Sequence, residues 1–176
     1  MFKIAWAKIG AVGTMRMLGE LSTSSEGSME SVITSDFIAD PATRATHFPR
    51  DRDAIVQSAL TLFTGTSYLW GGVTPWGVDC SGFVQRIFAL HGVPLRRDAW
   101  QQAEDTVLIS DDVTAAHAPG DLLFFSDRDD QRITHVGIAT GNGGMIHSAL
   151  ARGGIAVEPE LSAKLKEQGV GIRRAL

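Results

Sequence analysis

Tyr68-Leu69-Trp70-Gly71-Gly72-Val73-Thr74-Pro75-Trp76-Gly77-Val78-Asp79-Cys80-Ser81-Gly82-Phe83 is the stretch that decides the fold, because the pattern of the chain changes inside it. Up to Val78, the breakers Gly71, Gly72, Pro75 and Gly77 interrupt any regular helix or strand. From Cys80 onward, Cys80, Phe83, Val84, Ile87 and Phe88 recur at i, i+3, i+4, i+7 and i+8, the apolar stripe of a helix packed on a core. Gly92 and Pro94 supply its stop. Cys80, the only cysteine, is thus expected on the first turn of a buried helix. Backbone N–H groups are unpaired there and the helix dipole favours negative charge, so the thiol should ionise more readily than usual.

Working outward, Asp51 and Asp53 favour a helix start, Ile55, Ala59 and Leu62 form its stripe, and Gly65 ends it. Downstream, Asp98 to Glu104 reads as a short helix. Asp121-Leu122-Leu123-Phe124-Phe125, introduced by Pro119-Gly120, reads as a buried strand. Two further runs, Ile133 to Thr140 and Met145 to Ser148, flank Gly141-Asn142-Gly143-Gly144, a hairpin signal, and Ile155 to Val157 is a further strand. Helices come first and an antiparallel sheet second, an α+β arrangement.

Each strand of that hairpin carries a histidine, His135 and His147, twelve residues apart. If the register sum is even, the two are diagonal neighbours on one face, roughly 7–8 Å apart at the backbone; an odd sum would separate them. A shared face would supply a nucleophile, a base and an orienting group: Cys80, His135 and His147. His47, His91 and His117 are read as structural. The one asparagine, Asn142, belongs to the turn, so His147 is the best third member. No Gly-x-Ser-x-Gly, His-Glu-x-x-His or phosphate-loop motif occurs, and one Cys with two scattered His does not make a zinc ligand set. Neither a metal nor an organic cofactor is expected.

Among 176 residues, 44% are apolar and 20% charged, enough for one well-packed domain and a small addition. A net charge of −4 with scattered Lys and Arg gives no footprint for nucleic acid. Nothing approaches the roughly 18 apolar residues of a membrane helix. At the N-terminus, Lys8 and Arg16 leave Ile9 to Met15 as the longest uncharged piece, at the short limit of a signal-peptide apolar region of ~7–15 residues and without a clear small-residue cleavage site. A cytoplasmic location is the expectation, with export as the alternative. Residues 1–48 read as short β-strands around a Ser/Gly/Glu-rich loop from Ser22 to Ser31 and a linker from Asp40 to Pro49, and residues 49–176 as the second domain.

Tyr-Leu-Trp-Gly-Gly, Asp-Cys-Ser-Gly-Phe, Leu-Arg-Arg-Asp-Ala with Gln102, Pro-Gly-Asp-Leu-Leu-Phe-Phe, His-Val-Gly-Ile and Met-Ile-His-Ser follow one another in this order. In that order they closely resemble the NlpC/P60 family of papain-like cell-wall peptidases, over about residues 50 to 176. The resemblance implies a papain-like fold and a cysteine peptidase acting on peptidoglycan stem peptides or muropeptides, between γ-D-glutamate and the following diamino acid. It implies Cys80 as nucleophile, His135 as base, His147 as orienting residue, and Tyr68, Asp79 and Ser81 as substrate-binding residues around a free N-terminal L-Ala. It also implies that residues 1–48 are an SH3-like module or its remnant. Ala99 departs from members that carry serine there, which loosens the expected grip on the amine. Asp79 has a second reading as a helix N-cap. Two rivals stay open: a papain-like acyltransferase or amidase using the same Cys-His pair, and an inactive wall-binding module, in which the Cys or first His would be missing.

Overall fold

The computed structural model describes Trp6–Ala7, Met15–Met17, Ile38–Ala39 and residues 45–176. The chain divides into two compact units, residues 1–47 and 48–176. In the first, β1 (Trp6–Ala7), β2 (Met15–Met17) and β3 (Ile38–Ala39) form an antiparallel sheet in that order, with Trp6 opposite Met17 and Met15 opposite Ala39. The loop Ser22 to Ser31 and most of the N-terminal apolar run, Ile9 to Met15, lie outside the described residues.

The second unit opens with α1 (Arg52–Leu62), capped by Asp51, whose carboxylate accepts the Ala54 N–H at 2.9 Å. Ile55, Val56 and Ala59 form its buried stripe. Between α1 and the next helix, Val73–Thr74 (β4) and Gly77–Val78 (β5) pair two residues by two around Pro75-Trp76. The glycines and proline limit this to a minimal hairpin, where the sequence suggested no regular element. Helix α2 (Cys80–Leu90) begins at Cys80 and buries Phe83, Val84, Ile87 and Phe88 completely. Phe83 packs edge-on against Phe63, ring centres 5.6 Å apart. Helix α3 (Ala99–Glu104) starts in a capping box, Asp98 N–H donating to Gln101 Oε1 at 3.0 Å.

Six antiparallel strands make the main sheet: β6 (Val107–Ser110), β7 (Leu122–Phe125), β8 (His135–Ala139), β9 (Met145–Ala149), β10 (Gly154–Glu158) and β11 (Gly169–Arg174). Their order is β10-β9-β8-β7-β11-β6. All four residues of β7 are buried because both sheet faces are covered. Leu122 and Phe124, with Val136, Ile138 and Ile146, join the core under α1 and α2. Leu123 and Phe125, with Ala139, Met145 and Ile172, join a second core with Val113 and Leu161, near α4 (Ala163–Glu167). Asp121 of the Pro-Gly-Asp turn is fully buried, its carboxylate paired with Arg174 at 2.7 and 2.8 Å. His91 is structural, as expected: 2% exposed, it bonds Pro49 O at 2.6 Å and Ser58 Oγ at 2.9 Å, tying the end of α2 to α1 and to the segment before it.

Strands β6 and β11 and helix α4 carry no expectation from the sequence. Val107, Leu108 and Ile109 lie exposed on the sheet edge, without the alternation that marks a strand. Strand β11 contains two glycines and earns its inner position only through pairing with β6 and β7, far away in the chain.

The junction of loop and helix is close-packed. A Cβ at Gly82 would meet the carbonyl oxygen of Gly72 and lie 2.9 Å from Asp79 Oδ1, and a Cβ at Gly72 would meet the backbone of Gly77 and Leu69. The obstacles are mainly backbone atoms and cannot rotate away. Gly82→Ala is therefore expected to lower the unfolding free energy by at least about 1–3 kcal/mol, the usual range for overpacking. A urea-unfolding midpoint equal to that of the parent would show that the helix start is not seated on this loop.

Candidate active site

Cys80 sits at the first position of α2 and is 8% exposed. Its Sγ lies 3.9 Å from the carbonyl oxygen of Thr134, and the backbone N–H groups of Val136, Ser81 and Cys80 itself are turned toward the sulfur. The thiol therefore faces the start of β8, where His135 is the first residue.

Register decides the histidines. Ile138 stands opposite Ile146 and Ala139 opposite Met145, an even pairing, so His135 and His147 are diagonal neighbours on one face. Their side chains meet, His135 Nε2 lying 2.8 Å from His147 Nδ1 with the rings edge-to-face, centroids 5.0 Å apart. Phe125, opposite His135 on β7, packs its ring 5.9 Å from the imidazole. Ser148, fully buried beside His147, donates to Val78 O at 2.8 Å and moors β9 to the segment leading into Cys80.

Asp79 caps α2, accepting the Gly82 N–H at 2.7 Å. The same carboxylate accepts the Gly71 N–H at 2.9 Å and a two-pronged Arg97, at 3.0 Å on Oδ1 and 2.5 Å on Oδ2. Arg97 also donates to Ser81 Oγ at 2.9 Å. The Ser81 hydroxyl adds a longer bond to Asp79 Oδ1 at 3.4 Å, so the carboxylate sits in a dense set of donors. The N-cap reading of Asp79 holds, and Asp79 and Ser81, 7% and 5% exposed, are both bonded to Arg97. The member of the cluster that reaches solvent is the Arg97 guanidinium. Reading the residues one by one passed over Arg97; its place in Leu-Arg-Arg-Asp was the available signal. Tyr68 is half-buried, and burial, then the charges of Cys80 and Asp79, raise its phenol above the ordinary value against an opposing effect of Arg97. It stays protonated and can donate a hydrogen bond.

Protonation differs from the expectation. Burial, and second the Asp79 carboxylate, push the Cys80 thiol up, while the surrounding backbone N–H groups pull it down less strongly. His135 keeps part of its surface open, yet burial, followed by the adjacent His147, holds it down to about 3. His147 is lowered by burial, against the opposing pull of Glu158. Burial thus favours the thiol over the thiolate and the neutral imidazole over the imidazolium, against the pull of the helix end.

Comparison with known proteins gives this arrangement a context. The NlpC/P60 family model matches residues 65–174, and the chain belongs to that family. It is 34% identical over 116 residues to a γ-D-glutamyl-L-lysine dipeptidyl-peptidase of Bacillus cereus, covering 65% of this chain and 34% of that protein. It is 43% identical over 96 residues to the protein of the same name in Bacillus subtilis, covering 53% of this chain and 31% of that one. The chain spans about a third of the length of these relatives. A crystal structure of an NlpC/P60 family protein from Bacillus cereus superposes with a TM-score of 0.60 at 31% identity, over 69% of this chain and 40% of that one. Among the described residues, no group of three His, Cys, Asp or Glu side chains is placed to hold a metal ion, and no helix is long and apolar enough to cross a membrane.

Two pH effects follow. A thiol raised above the ordinary value of about 8.5 is mostly protonated at pH 7, so iodoacetamide should alkylate Cys80 slowly there and progressively faster above pH 9. Fast, pH-independent alkylation from pH 6 upward would instead require a resting ion pair. For stability, His91, His135 and His147 are all lowered in the folded chain, so below about pH 6.5 the unfolded chain binds protons that the folded one refuses. Stability contributed by the neutral histidines is complete above pH 6.5 and declines as pH falls toward 3. The urea midpoint is expected to drop between pH 7 and pH 5, above the carboxylate range; a constant midpoint would mean the histidines are not held neutral.

Proposed function

We propose that the protein is a cysteine peptidase that cuts peptidoglycan stem peptides at the bond between γ-D-glutamate and the following diamino acid. The observation that carries this reading is the placement of Cys80, whose Sγ lies 3.9 Å from the carbonyl oxygen of Thr134, beside the first residue of β8, His135, which is hydrogen-bonded to His147 at 2.8 Å. His135 Nε2 is engaged by His147, so Nδ1 is the nitrogen that serves the thiol. As Sγ attacks the amide carbonyl, His135 Nδ1 takes the thiol proton, and the backbone N–H of Cys80 lies where it can receive the oxyanion. His135 then gives that proton to the leaving amine, and water, deprotonated by the same imidazole, releases the acyl group and restores the thiol.

Bond choice draws support from two sides. The Bacillus relatives are named for a γ-D-glutamyl-L-lysine bond. A γ-linked glutamate also keeps its α-carboxylate free, and the guanidinium of Arg97 is the charged group that reaches solvent beside Cys80 and Tyr68. Tyr68 supplies a neutral donor next to it, while Asp79 and Ser81 hold Arg97 in place.

The test is mass spectrometry of defined stem peptides after incubation. The expected products are a fragment ending in D-glutamate and a fragment beginning with the diamino acid, with Cys80→Ala slower by on the order of 10³-fold or more and still folded. Cleavage undiminished in Cys80→Ala would overturn the mechanism, and cleavage at another bond would overturn the specificity. Transfer to an added amine in place of hydrolysis would establish the acyltransferase alternative.

A further inference from the structure

Behind the two histidines the chain continues its polar file. Strand β10 pairs with β9 so that Ala156 stands opposite His147, which places Glu158 diagonal to His147 on the same face, as His135 is on the other side. His147 Nε2 lies 3.5 Å from Glu158 Oε1, and the two side chains are only 5% and 11% exposed. That nitrogen is buried and makes no hydrogen bond among the described residues. Glu158 in turn is gripped by Arg152 through two bonds, Nε to Oε1 at 2.8 Å and Nη2 to Oε2 at 2.9 Å. Arg152 comes from the short 3₁₀ turn, Leu150–Arg152, that links β9 to β10.

We propose that Glu158, aimed by Arg152, is a positioning residue that fixes the tautomer of His147 and, through it, leaves the thiol-facing nitrogen of His135 free to act as base. The proposal rests on the cysteine-peptidase reading above. A neutral imidazole carries a single N–H, and the His135–His147 bond uses one proton. Two arrangements satisfy it. In the first, His135 Nε2–H donates to His147 Nδ1, so the His147 proton sits on Nε2 and His135 Nδ1 is bare. In the second, His147 Nδ1–H donates to His135 Nε2, and His135 carries its own proton on Nδ1, where it blocks abstraction from the thiol. The 2.8 Å contact alone does not choose between them.

Glu158 chooses. In the first arrangement an N–H dipole points at the carboxylate; in the second a bare lone pair faces it at 3.5 Å inside a buried site, where unscreened repulsion is most costly. Arg152 keeps the carboxylate ionised and in position, as its lowered pKa, caused first by Arg152, reflects. The same charge steadies the imidazolium that His135 becomes while it holds the thiol proton, acting through the polarised His147 ring. Glu158 touches neither sulfur nor substrate in this scheme, and its effect is carried by the proton positions of two other side chains.

The experiment is ¹⁵N NMR of histidine-labelled protein, with the His147 signals assigned from His147→Asn, together with kcat and KM on the stem peptide the parent cleaves best. In the parent, His147 should appear as the Nε2–H form and His135 likewise. Glu158→Ala should move both toward the Nδ1–H form and lower kcat by at least about tenfold with little change in KM, short of the ~10⁴ that a wholly wrong tautomer costs a serine-peptidase triad. Glu158→Gln keeps the volume and a neutral acceptor, and should give mixed tautomers and an intermediate kcat; it decides the matter if Glu158→Ala fails to fold. Unchanged tautomers in both variants would overturn the proposal even if kcat fell, because that result describes a strut for the β9–β10 connection. Since the spectra need no substrate, they stand or fall apart from the substrate reading: a parent that cleaves no stem peptide refutes the proposed function, while the tautomer comparison still judges Glu158.

Discussion

The Asp79 carboxylate is the constraint on which the rest of this site depends. It closes the N-terminus of α2, holds the glycine loop through Gly71 N–H, and pairs with Arg97 from the segment before α3. Three separate pieces of chain are thereby fixed around the residue that immediately precedes Cys80. Each charge-assisted bond of this kind contributes roughly 1.5–3 kcal/mol, and an Asp79 left without Arg97 would be a buried, uncompensated charge, a costlier state than the loss of a contact. Gly72 and Gly82 make the arrangement sterically possible, because loop and helix approach each other through backbone atoms with no room for a Cβ.

Electrostatics at Cys80 set two opposing effects against each other. A helix N-terminus favours an anion by about 0.3–1 kcal/mol, up to about 2 in buried geometries. Burial of a thiol can shift its pKa by several units at 1.36 kcal/mol each, and here the Asp79 charge adds to it. Burial is the larger of the two effects and favours the thiol. The histidines follow the same logic, since their depressed pKa values keep them neutral across the physiological range. A neutral pair makes the position of each single proton decisive, which is why the order Cys80, His135, His147, Glu158, Arg152 carries chemical meaning: every member after the sulfur constrains where the next proton can sit.

Local signals in the chain were legible where local physics is sufficient. The stripe Cys80, Phe83, Val84, Ile87, Phe88 needs only helical periodicity and a core to bury it, and α2 follows it closely. Asp51 and Asp98 mark helix starts because an N-cap acts within three residues, and the glycine-rich turn between β8 and β9 shows itself through Gly141 and Gly143 at positive φ. Strand β11 stayed hidden for the opposite reason. Its two glycines and two arginines carry little intrinsic strand preference, and its place between β7 and β6 comes wholly from partners more than forty residues earlier in the chain.

The sequence by itself determined the helix that carries Cys80, the strands that carry His135 and His147, and the residues available for nucleophile and base, because periodicity, capping and turn chemistry act over a few residues. Tertiary structure decided the rest. The even register of β8 on β9 brings the histidines to one face, since one residue of slip would reverse every side chain. Folding also gave Asp79 to Arg97, raised the thiol pKa through burial, and set Glu158 behind His147. Each of these depends on distances between residues far apart in the chain and on how much water their contact excludes, and neither quantity is written in any local pattern of residues.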